Sequence, residues 1–73
     1  MGSNIHVVPH DEGWDVIHEG ARYAESHHAT QEEAVAAGTT KAQREHVELL
    51  IHGRDGQIRS RSSFGHDPRT IPG

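Results

Sequence analysis

Apolar and polar positions alternate in the first third of the chain and again in its last third, with a different period between them. Ile5 and Val7 share one side of a short strand ending at Pro9, with His6 and Val8 on the other. Pro9 has no backbone donor, which predicts the end of that strand or an edge position. His10-Asp11-Glu12-Gly13 is turn chemistry, with Gly13 free to take positive φ. Trp14 to His18 predicts a second strand, with Trp14 and Val16 on one face and Asp15 and Ile17 on the opposite one. Glu19-Gly20 reads as a tight hairpin turn. A third, less apolar strand runs from about Ala21 to His28.

The alternation stops at Thr30-Gln31-Glu32-Glu33. A threonine followed three residues later by a glutamate is a capping box, whose side chains satisfy backbone N–H groups of a helical first turn. The helix is expected to reach about His46. Ala34, Gly38, Ala42 and His46 recur every fourth residue, with Ala37 beside them, a small-residue stripe that lets a helix lie close to a sheet. Gly38, Thr39 and Thr40 lower helix propensity by about 2 kcal/mol together, so packing must hold this helix.

Alternation returns at Val47 to His52, with Val47, Leu49 and Ile51 on one side. Gly53-Arg54-Asp55-Gly56 is the clearest hairpin turn in the chain. Gln57 to Ser62 then predicts a returning strand with Ile58 inward and Arg59 and Arg61 outward, and Phe64 folding back onto the core edge. The expected fold is α+β, ordered β-β-β-α-β-β: a mostly antiparallel sheet of about five short strands with one helix on one face. Residues 1–4 are expected to be disordered, 5–64 to form one domain, and 65–73 to be a tail containing Pro68 and Pro72.

Composition narrows the class. Seventy-three residues make one domain with a small core. The absence of cysteine removes disulfides and thiolate sites and suits a reducing cytoplasm. The apolar fraction of 32% and mean hydropathy of −0.79 are polar for a globular chain, yet the patterning argues against disorder. No apolar run approaches the roughly 20 residues that span a bilayer, and no signal peptide is visible, so a cytoplasmic protein is expected. The net charge of −4 is uneven, −6 over residues 1–53 and +2 over residues 54–73. Eight histidines would bring the total to +4 if all were protonated, so solubility and association should respond to pH.

His6-Val7-Val8-Pro9, Gly13-Trp14, Glu19-Gly20, Thr30-Gln31-Glu32-Glu33-Ala34, His52-Gly53-Arg54-Asp55-Gly56-Gln57-Ile58 and Gly65-His66-Asp67-Pro68 together carry a resemblance. In this ordered combination, over about residues 5–68, the chain resembles the small bacterial family of domain of unknown function 2188. It departs from that pattern at Gly38-Thr39-Thr40. The resemblance implies a small bacterial or phage-borne domain and supports the strand–helix–strand reading. It carries no established activity, so it transfers no functional residue.

The candidate chemistry is thin. His27 and His28 are neighbours on a strand and point to opposite faces, and His6 and His18 meet only if the register allows it. No histidine spacing matches a zinc signature, so no metal or other cofactor is expected and the histidines read as polar surface. Ser60, Ser62 and Ser63 could approach His52, or His66 and Asp67, but no Gly-x-Ser-x-Gly elbow is present. Glu32 and Glu33 suit the helix dipole better than acid–base work. The chain is therefore expected not to be an enzyme.

The leading expectation is a non-enzymatic interaction domain that self-associates as a homodimer or larger assembly. If Ile5, Val7, Trp14, Val16, Leu49, Ile51 and Ile58 form the core, alternation sends Val8, Ile17 and Leu50 to the opposite face, where a monomer would expose them. The alternative is a nucleic-acid-binding accessory role using Arg22, Arg59 and Arg61 as a basic sheet face. Stacking aromatics are scarce for that role, since Trp14 is more use in the core.

Overall fold

The computed structural model describes residues 3–65. Its elements are β1 (Ile5–His10), β2 (Gly13–His18), β3 (Ser26–His28), α1 (Gln31–Glu45), β4 (Glu48–His52) and β5 (Ile58–Ser63). The strands form one sheet in the order β3-β2-β1-β4-β5. Every pairing is antiparallel except β1 with β4, which the crossover through β3 and α1 makes parallel. The expected β-β-β-α-β-β order and α+β class hold.

The core lies between α1 and one sheet face. Ile5, Val7, Trp14, Val16, Val47 and Leu49 meet Ala34 and Ala42 there, with Ile51 and Phe64 packed at its margin. Phe64 is tied back by its N–H to the Val47 carbonyl (3.2 Å). Gly38 allows the close approach: a Cβ there would stand 3.0 Å from Leu49 Cδ1 and 3.3 Å from Val7 Cγ2. Thr30 caps α1, its hydroxyl accepting from the Glu33 N–H at 3.1 Å.

Five sequence expectations need correction. His46 does not continue the small-residue stripe. It takes a left-handed conformation (φ 59°) as the C-cap and is exposed, while the Val47 N–H reaches back to the Ala42 carbonyl (3.1 Å). The third strand is only Ser26–His28, because Ala21 to Glu25 form a loop in which Tyr23 stays in solvent. The positive φ of the first hairpin belongs to Asp11 (57°), not to Gly13, which lies inside β2. Pro9 also lies within β1. Its partner Trp14 follows the hairpin-closing pair His10↔Gly13, so its nitrogen points away from β2, beyond the β4 ladder that ends at Val7↔Ile51.

The fifth concerns β5. A bulge between Ile51 and His52 places Ser60 opposite Ile51 but Ile58 opposite His52. A one-residue shift turns a side chain to the other face, so Ile58 is 49% exposed and outside the core.

Candidate functional site

The sheet face turned away from α1 carries most of the chemistry. Strand alternation sends His6, Val8 and His10 of β1 to it, together with Asp15 and Ile17 of β2, and Leu50 and His52 of β4. Pairing aligns Ile17, His6, Leu50 and Arg61 in one row across four strands, and His27, Asp15 and Val8 in the next. The three expected interface residues are thus on one face. Val8 and Ile17 are half-buried, but Leu50 is only 5% exposed within the single chain, between His6 and Arg61 on the neighbouring strands. The expectation that a monomer exposes Leu50 is therefore corrected: its neighbours' longer side chains cover it.

Two histidine networks occupy this face. In the first, His6 Nδ1 lies 2.8 Å from His52 Nε2, His6 Nε2 3.0 Å from Glu19 Oε1, and His52 Nδ1 3.1 Å from the Gly56 carbonyl. The carboxylate and the carbonyl can only accept, so His6 donates from Nε2 and His52 from Nδ1. The contact between the two rings joins these hydrogen bonds into one chain from Glu19 to Gly56. It ties β1 to β4 at their parallel junction.

In the second network, Asp15 stands between two imidazoles. His10 Nδ1 is 2.8 Å from Oδ2 and His27 Nδ1 is 2.5 Å from Oδ1. Asp15 is 8% exposed, while both histidines reach solvent. Burial alone would raise its pKa. The hydrogen bonds from His27 and His10, with the charge on those rings, more than offset this and hold the carboxyl below its ordinary value.

The sequence pattern missed this grouping. His10 and Asp15 follow from a two-residue hairpin, and strand alternation puts them on one side. His27 joins them only through the β2–β3 register, set by a loop with no length signature.

On the helix side, His18 bridges Glu45 (2.9 Å) and Glu25 (3.1 Å), and Lys41 lies 3.2 Å from Glu25. The hydrogen bond from His18 holds the Glu45 carboxyl below its usual value, with Lys41 helping and partial desolvation opposing. His6 and His18 do not meet, since His6 pairs with Ile17 and His18 with Ile5, on opposite faces.

The three arginines are not brought together. Arg22 lies in the β2–β3 loop at one sheet edge, while Arg59 and Arg61 belong to β5 at the other. Arg61 faces Glu48 (3.7 Å) and Arg59 faces Asp55 (3.3 Å). The bulge also separates these two: Arg59 lines a cleft with Trp14, Gln31, Ile51 and Ser60 on the helix side. Ser60 and Ser62 pair with the core-facing Ile51 and Leu49, away from the His52 ring. His66, Asp67 and Ile71 lie outside the described residues, as does most of the expected tail.

Fold and site together define a small two-layer α+β domain whose open sheet face is rich in histidine. The chain belongs to the DUF2188 family, described as an uncharacterized protein conserved in bacteria, whose model matches residues 5–64. That description assigns no activity. No curated protein and no solved structure matches the chain. Among the described residues no helix is long and apolar enough to cross a membrane.

Proposed function

We propose that this domain is a non-enzymatic interaction module that pairs with a second copy of itself through the sheet face opposite α1, in the reducing cytoplasm that its lack of cysteine suits. The observation that carries the reading is the asymmetry of the sheet. One face is covered by α1, and among the described residues nothing covers the other, where Val8 and Ile17 are partly open beside the buried Leu50.

Among the described residues the largest fully buried side chains are Ile5, Leu49, Val7 and Val16, a small core for an independent domain. A second copy laid on the open face would add the missing apolar layer. The basic-face alternative has less support, because its arginines sit at opposite edges, two of them beside acids.

Because Leu50 is already buried, a charge there would damage the monomer. Ile17→Glu is the better probe. Light scattering at micromolar concentration should give twice the 8.0 kDa chain mass for wild type and the single-chain mass for a folded Ile17→Glu variant. A wild-type monomer at that concentration overturns the reading.

A further inference from the structure

We propose that His10, Asp15 and His27 bind one divalent transition-metal ion of the zinc class, through Nδ1 of each imidazole and the Asp15 carboxylate. This goes beyond the self-association reading and does not rest on it.

The three residues come from three adjacent strands of one rigid sheet. His27 is directly opposite Asp15, and His10 stands two residues along β1 from Val8, the partner of Asp15 on its other side. One donor atom from each residue lies within 4.8 Å of the other two. The Nδ1–carboxylate separations of 2.8 and 2.5 Å are hydrogen bonds, and opening each by less than about 1 Å gives the spacing of ligands that share a tetrahedral ion at about 2.0–2.2 Å.

Three features favour a built site over incidental hydrogen bonding. Gly13 makes room first for the His28 carbonyl and then for the His27 ring, since a Cβ there would collide with that carbonyl and stand 2.7 Å from Nε2 and 3.0 Å from Cε1. Asp11 Oδ2 lies 3.8 Å from His10 Nε2, on the ring nitrogen that would not ligate. A closure of about 1 Å would turn this contact into the outer-shell hydrogen bond that orients a ligating imidazole. Finally, an open cavity lined by Asp11, Glu12, Gly13, His27 and Ala29 adjoins the cluster and gives solvent and ion a way in.

The donor chemistry selects the ion. Two imidazole nitrogens and one carboxylate oxygen suit zinc, nickel, copper or ferrous iron and are a poor set for calcium or magnesium. A ring that ligates through Nδ1 carries its one proton on Nε2, and any second proton is released to solvent as the ion binds. The buried Asp15 carboxylate gains a counter-charge in place of two hydrogen bonds. Three protein ligands leave at least one coordination position for water or a further donor.

The test is calorimetric titration of tag-free protein with zinc chloride at neutral pH, with a parallel cobalt(II) titration followed by visible absorption. The expected result is one ion per chain, with ligand-field bands from bound cobalt. His10→Ala and His27→Ala should each weaken binding about tenfold or more, in line with the loss of a ligand or its support. Both side chains are solvent-exposed, and circular dichroism verifies that the variants fold. His6→Ala and His52→Ala, on the other half of the same face, should bind as wild type does.

The proposal is overturned by no binding at a hundred-micromolar free zinc. Binding that survives both His10→Ala and His27→Ala, or that is lost in His6→Ala, overturns it equally. Light scattering on the same samples reports association separately, so either proposal can fail alone.

Discussion

Asp15 shows how much a single position can carry. It is a buried carboxylate stabilised by two imidazoles, and its folded pKa lies below the ordinary 3.8. A depressed carboxylate pKa contributes stability that is present above 3.8 and is lost as pH falls through the folded value. The urea midpoint of wild type should therefore exceed that of Asp15→Asn near neutrality, and the gap should close as pH drops below 3.8. A gap that stays constant down to acid pH would show that Asp15 does not titrate differently on folding. Thr30 is the second decisive residue. Its hydroxyl accepts from the Glu33 N–H, so Thr30→Ala should lower stability by about 1 kcal/mol, read as a lower urea midpoint at unchanged slope.

At the scale of elements, α1 is held by fit more than by propensity. Gly38 faces Leu49 Cδ1 and Val7 Cγ2 at van der Waals limits, and both partners are fully buried. A leucine at this position should cost about 1–3 kcal/mol by overpacking, although it is the better helix former. Denaturant titration of Gly38→Leu tests this, and a stabilised variant would mean that α1 can lift from the sheet. The helix end should respond in the opposite direction. His46 holds a left-handed backbone (φ 59°) that costs a residue with a Cβ roughly 1–2 kcal/mol. Glycine removes that cost but loosens the unfolded chain, so His46→Gly should raise stability by a net amount of about 0.5–1 kcal/mol. Thermal unfolding at neutral pH measures the gain.

For the whole molecule, the unequal sheet faces are the governing feature. If two copies share the open face, melting temperature must rise with protein concentration, because dissociation accompanies unfolding. Scanning calorimetry over a hundredfold range of concentration should show this for wild type and not for Ile17→Glu. Equal melting temperatures throughout would indicate that one chain is the folding unit.

Much of this architecture could be read along the chain, because its causes are local. Alternation at Ile5–Val8 and Trp14–Ile17 assigned faces, Thr30 with Glu33 began the helix, and Gly53 to Gly56 closed a hairpin in which Gly56 takes φ 88°. Each depends on residues within about four positions of one another, the reach of turn, cap and pleat chemistry.

What tertiary structure alone decided depends on strands meeting across long intervals. The parallel β1–β4 ladder joins Ile5 to Leu49, and no local signal sets that register. The bulge at Ile51/His52 turned Ile58 outward and separated Arg59 from Arg61, because one extra residue inverts the side-chain period of two. Leu50 became buried because His6 and Arg61 flank it from other strands. His10, Asp15 and His27 became one cluster because β2–β3 pairing closed a loop whose length carries no pattern. Local sequence set which residues point to which side of each strand, and the long-range ladders determined which of them meet.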